Sequence, residues 1–182
     1  MIFVTVGTQL PFDRLIGAID QWARANPAIE VIAQTGESRL STHNITTHRR
    51  VDAAEFRELV MRSRLLVAHA GMGSILTALE LGTPVIVMPR RSDLGEHRND
   101  HQMATVEQLS HLRNLRVARD RDELVAALEA VLSTAPCGAV AERSDSGSDE
   151  LLDTIRAFIS ATSEAEISGQ VDSAGRPSDA AA

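Results

Sequence analysis

Short apolar runs alternate with amphipathic stretches along most of the chain. Ile2-Phe3-Val4-Thr5-Val6 reads as a buried strand, and Pro11–Ala25 follows with Leu15, Ile16, Ile19 and Trp22 at helical spacing on one face. Ile29–Gln34 predicts a second strand, and the polar stretch Gly36–Arg50 holds a short one around Ile45–His48. Asp52, with Glu55 three residues on, is a capping-box pattern that opens a helix to about Arg62. Leu65–Ala68, Pro84–Met88 and Leu115–Ala118 supply three more strands, with helices predicted over Gly73–Leu81, about Arg98–Leu109 and Arg121–Leu132. Repeated βα units with near-continuous apolar strands imply an α/β fold: a Rossmann-like parallel sheet with helices on both faces. Ligands of such sheets bind at the strand C-terminal ends. Ser133–Asp149 reads as a linker, Leu151–Ile159 as a last helix, and residues 161–182 as a disordered tail with almost nothing to bury.

Composition narrows the function classes. The 182 residues allow one ordinary domain with a real core, and no apolar run approaches the roughly 20 residues that span a bilayer. Met1 leads straight into the first strand, without the basic region and apolar core of a signal peptide. A single cysteine, Cys137, excludes a disulfide framework and fits a reducing cytoplasm. A net charge of −7 argues against nucleic acid, whose backbone calls for a basic face. All the basic side chains other than histidine are arginine, so lysine chemistry such as a Schiff base is excluded.

The most informative stretch is His69-Ala70-Gly71-Met72-Gly73-Ser74, between the strand Leu65–Ala68 and a helical segment. The first turn of a helix carries N–H groups without partners and the positive end of the dipole, which suits phosphate. Gly71 and Gly73 lack the Cβ atoms that would keep a phosphate from that backbone. Neither a third dinucleotide-type glycine nor a P-loop Gly-Lys-Ser/Thr is present. A diphosphate-bearing ligand is the expectation.

The string from Val67 to Gln102 resembles the donor half of the GT-B glycosyltransferases, specifically the glycosyltransferase family 28 C-terminal domain. The resemblance rests on His69-Ala70-Gly71-Met72-Gly73-Ser74, the helix end Leu79-Glu80-Leu81-Gly82-Thr83-Pro84 and Asn99-Asp100-His101-Gln102, with the opening Val4-Thr5-Val6-Gly7-Thr8 in support. Within the family the chain looks like the small subunits of two-subunit UDP-sugar transferases. These are the eukaryotic dolichol-linked N-acetylglucosamine transferase and the bacterial exopolysaccharide glucuronosyltransferase. The resemblance implies a single donor domain over residues 1–160, starting at its first strand with no room for an acceptor domain. It further implies a UDP-sugar donor, inverting transfer to a lipid-linked sugar acceptor, and a membrane-associated GT-B partner subunit that brings the acceptor. The location implied is cytoplasmic, at the inner face of the membrane through that partner. No cofactor is implied. A regulatory or sensor subunit that binds a UDP-sugar without catalysis is the alternative, a one-chain UDP-sugar epimerase is a weaker one, and a homo-oligomer that completes its own site is a third arrangement.

Carried onto this chain, Gly71, Met72, Gly73 and Ser74 would offer backbone N–H groups and one hydroxyl to the diphosphate. His69 would face the phosphates and is the one candidate for a catalytic role; its plainer reading is a core histidine that fixes the turn. Thr77 stands where many relatives hold the ribose with a glutamate, and Glu80, one turn on, is the candidate substitute. Asn99, Asp100, His101 and Gln102 would meet sugar hydroxyls, for which paired amide and carboxylate groups are suited. Gly7 and Thr8 would approach the phosphate or the acceptor, and Val51 would offer its backbone to the uracil. Arg90 and Arg91 are candidates for an acidic sugar, their bland reading being surface charge. His97 and His101, at i and i+4, lack the His-Glu-x-x-His pattern and a third ligand, so no metal is expected. Asp13 would favour a helix first turn over service as a general base.

Overall fold

The computed structural model describes residues 1–98, 101–112 and 114–134. Six parallel strands, β1 (Ile2–Thr5), β2 (Val31–Gln34), β3 (Thr46–His48), β4 (Leu65–His69), β5 (Val85–Met88) and β6 (Leu115–Val117), form one sheet in the order β3-β2-β1-β4-β5-β6. Five helices connect or follow them: α1 (Asp13–Ala25), α2 (Ala53–Arg62), α3 (Met72–Glu80), α4 (His101–Leu109) and α5 (Arg121–Thr134).

Alternation along the strands divides the core in two. Ile2, Val4, Leu65, Val67, Ile86 and Met88 face α1 and α5, where Leu15, Ile16, Ile19, Leu124 and Leu128 are fully buried. Phe3, Leu66, Ala68, Val85 and Val87 face the other way, onto Val60 of α2, Ile75 and Ala78 of α3 and Val106 of α4. Both faces of the central strands are therefore dry, which is why their sequences run apolar without a break. β3 is the exception. All three of its residues are exposed, as an edge strand allows, and this accounts for its weak apolar signal.

The expected elements are all found within the described residues, with shifted ends. The helix expected from Pro11 starts at Asp13. The one expected from about Arg98 is described from His101, after a 3-10 turn over Ser92–Leu94 closed by Gly95 at φ 71°. α5 continues to Thr134, two residues into the expected linker. The expected helix Leu151–Ile159 and the tail lie outside the described residues.

Strand order reverses between β1 and β4: β2 and β3 extend the sheet on one side, β5 and β6 on the other. A crevice opens at the C-terminal ends of strands at such a switch point. Gly7, Thr8 and the His69–Ser74 turn stand there.

Candidate functional site

β4 leads through His69 and Ala70 into α3, whose N-cap is Gly71 at φ −90° and ψ 131°, with no side chain capping the helix. Gly71 donates its own N–H to the His69 carbonyl at 2.8 Å. The N–H groups of Met72, Gly73 and Ser74 then head the helix, where no preceding turn can accept them. Met72 packs its side chain against the core and contributes backbone alone.

The two glycines of the turn have different tasks. A Cβ on Gly73 would meet nothing within 4 Å, so the space above the helix start is open. A Cβ on Gly71 would lie 2.1 Å from Nε2 of His69. Gly7, at φ 75°, presents the same obstacle from β1, its Cβ falling 2.6 Å from Cε1 of the same ring. The two turn glycines therefore differ in what surrounds them. Gly73 faces open space, while Gly71 and Gly7 form a slot for the imidazole.

Within that slot His69 is held neutral. Burial, with the nearby Arg90 charge second, pushes its pKa from 6.5 down to about 4, against an opposing contribution from the Thr5 backbone. Even so, nothing among the described residues sits in hydrogen-bonding geometry at its buried Nδ1. An imidazole so acidified is a poor proton acceptor at neutral pH and remains able to donate one hydrogen bond.

Two cavities of about 490 and about 440 Å³ share Gly7, Thr8, Phe56 and Ser74 in their walls and so form one continuous cleft. Each falls within the range of small-molecule sites. The first lobe lies over the α3 start, with His69, Gly73, Thr77, His97 and Gln102 around it. The second is walled by Gly36, Val51, Asp52 and Ala53. Its two acids are engaged: Asp52 accepts from the N–H groups of Ala54 and Glu55 at 2.9 and 2.8 Å as the N-cap of α2, and Glu37 pairs with Arg49 and Arg50. Phe56 stands at the junction of the lobes, its ring edge-on to Phe3 with centroids 5.6 Å apart. Below the β1 turn, Thr5 donates to Gln34 Oε1 at 2.6 Å and Gln34 donates its amide N–H to the Gly7 carbonyl at 2.8 Å.

Gly7, Thr8, Val51, His69, Gly71, Gly73, Ser74, Thr77 and Gln102 are therefore brought to one cleft. The Thr77 hydroxyl donates to the Gly73 carbonyl at 2.9 Å, leaving its oxygen as an acceptor. Glu80 is not among the cleft walls. Its carboxylate takes a two-pronged ion pair from Arg57 of α2 at 2.8 and 2.9 Å, half exposed on the outer face. Arg90 borders the first lobe, but it is 1% exposed and its terminal nitrogens are turned onto main-chain carbonyls, so the reading of Arg90 as surface charge is corrected. Arg91 pairs with Asp93. Asp13 lies in the first turn of α1 and accepts from Ser38. His101 opens α4, and Asn99 and Asp100 lie outside the described residues. Sequence reasoning missed Phe56, which reads as one apolar residue of an amphipathic helix, and the Thr5–Gln34 pair, whose members are 29 residues apart.

A six-stranded parallel sheet with a glycine turn and an uncapped helix start at its switch point defines a Rossmann-like domain. The family is narrower still. The model of the glycosyltransferase family 28 C-terminal domain matches residues 1–152, and the chain belongs to that family. It is 27% identical over 141 residues to the UDP-N-acetylglucosamine transferase subunit ALG13 of Yarrowia lipolytica, an alignment covering 68% of this chain and 67% of that protein. The human protein of the same name is 31% identical over 124 residues, which cover 59% of this chain and 10% of that one. Among solved structures, the kitacinnamycin glycosyltransferase superposes with a TM-score of 0.59 at 24% identity, covering 86% of this chain and 41% of its own. A UDP-glucose:anthocyanidin 3-O-glucosyltransferase, solved with UDP, gives 0.55 at 16% identity, covering 88% and 36%. The chain thus spans about two-fifths of these enzymes and shares their GT-B fold over that part.

Proposed function

We propose that this chain is the donor-binding subunit of an inverting glycosyltransferase that moves a sugar from a UDP-sugar to a lipid-linked acceptor. The observation that carries the reading is the uncapped α3 start beneath open space at Gly73, continuous with a second lobe at Val51. The diphosphate takes the N–H groups of Met72, Gly73 and Ser74 and the Ser74 hydroxyl, with neutral His69 beside it. The nucleoside extends past Phe56 toward the Val51 backbone, and the sugar faces His97 and Gln102. Negative charge grows on the departing UDP in the transition state, so donors and a helix dipole fixed beforehand at that point lower the barrier. Neither acid in the cleft wall is placed to act as a general base, and His69 is too weakly basic for it. The base and the acceptor then come from a second, membrane-associated subunit, which also holds the complex at the inner membrane face. Among the described residues no helix is long and apolar enough to cross a membrane.

Calorimetric titration with UDP, UDP-glucose, UDP-glucuronate and UDP-N-acetylglucosamine in EDTA tests the donor half. Micromolar binding of UDP and one UDP-sugar, lost in Gly73→Asp, is the expected result; no uridine nucleotide binding would sink the reading. Sugar transfer by the purified chain with no second polypeptide would overturn the subunit assignment.

A further inference from the structure

Arg90 follows the C-terminal end of β5 and is among the largest fully buried side chains of the protein. Its Nη1 donates to the carbonyls of Pro11 at 2.6 Å and Glu96 at 3.1 Å, and its Nη2 to those of Val6 at 2.8 Å and Leu10 at 2.6 Å. Its backbone N–H is accepted by Gln102 Oε1 at 3.0 Å. The guanidinium carbon lies 4.6 Å from the Phe12 ring centroid, and that of Arg14 lies 5.2 Å from the same ring. Arg14 in turn grips the Glu96 carboxylate through two contacts of 2.8 Å and reaches the carbonyls of Pro89 and Arg119.

Three segments meet at this residue: the β1–α1 loop and the loop after β5 at its guanidinium, and the start of α4 at its backbone N–H. Each lends the first lobe a wall residue, namely Gly7 to Gln9, His97 and Gln102. A buried guanidinium is costly unless its donors are satisfied, and here satisfying them requires four carbonyls from two loops to converge. Loops held this way lose less freedom when a ligand arrives.

We propose that Arg90 is a positioning residue of the donor cleft: through four main-chain carbonyls it sets the loops Val6–Pro11 and Arg91–His97 in their ligand-ready arrangement. The inference rests on the donor-binding reading for its functional consequence, though not for its structural content. Lysine cannot replace the arginine, since an ammonium has three N–H groups against four carbonyls and no planar fork to reach two loops at once.

The test compares the full-length chain with Arg90→Lys, and with Arg57→Met as a control outside the cleft. Hydrogen exchange without ligand reads the loops directly. In Arg90→Lys, amides of residues 7–10 and 95–98 should exchange at least about tenfold faster while those of α2 and α3 keep their wild-type rates. UDP affinity, measured well below the melting temperature, should fall at least about tenfold, with Arg57→Met unchanged in both readouts. Unchanged loop exchange, or acceleration spread evenly over the whole sheet, would overturn the proposal. Should Arg90→Lys fail to fold, nitrogen-15 arginine spectra of the wild type decide. Slowly rotating, exchange-protected Nη–H signals from Arg90 support the clamp, and fast-averaging ones reject it. A wild-type chain that binds no uridine nucleotide refutes the donor reading and leaves the exchange and arginine readouts to judge the clamp.

Discussion

Gly71 and Gly73 stand two residues apart and lack a side chain for opposite reasons, which gives a sharp pair of substitutions. Gly71→Ala forces a methyl into the His69 ring, 2.1 Å from Nε2, and overpacking of this kind costs about 1–3 kcal/mol. Gly73→Ala meets nothing in the folded chain and sits in helix α3, so chemical denaturation should show it neutral or up to about 1 kcal/mol more stable. The same methyl enters the space assigned to the diphosphate, so calorimetry should show weaker UDP binding with no loss of fold. His69 sets a pH dependence. Its folded pKa of about 4 lies below the ordinary 6.5, so between these values the unfolded chain binds the extra proton. Stability is therefore fully present above about 6.5 and declines as pH falls to about 4, by roughly 3 kcal/mol from this group. Urea melts of wild type and His69→Gln across that window should differ in slope, the variant being the flatter.

Helices and strands were legible from local pattern because each one's apolar residues recur at its own period. Asp52 is a case in point. Its predicted cap is present, and Asp52→Ala should cost about 1 kcal/mol in a denaturant melt through loss of two N–H partners. Glu80 shows where such reading stops. Helical spacing placed it one turn beyond Thr77, but the docking of α2 beside α3 gives its carboxylate to Arg57, 23 residues earlier. That pair is half exposed, so Glu80→Gln should leave the denaturation midpoint nearly unchanged and UDP affinity unaltered. A clear loss of affinity would return Glu80 to the ribose. Element ends were the least legible part. Ser92–Leu94 and the left-handed Gly95 form a 3-10 turn too short to show an apolar period.

For the whole molecule, the reversal of strand order brings the ends of β1 and β4 together and puts a cleft between two dry cores. A ligand bound there stabilises the folded chain by mass action, about 2.7 kcal/mol at a hundredfold excess over Kd. The thermal midpoint should rise with UDP concentration. EDTA should leave that rise intact.

Within the described residues, the chain's own pattern determined the kind of its main elements, their two-faced burial and the glycine turn at His69–Ser74. These depend on periodicity and on backbone chemistry within a few residues. Tertiary structure alone decided which side chains meet. The Gly7–His69–Gly71 slot, the Arg57–Glu80 pair and the hold of Arg90 on Val6, 84 residues away, join positions remote in sequence. Strand register and helix docking set those distances, and no local propensity reaches that far. Arginine at position 90 therefore reads as surface charge in the sequence, and only the closing of two loops around it makes it part of the interior.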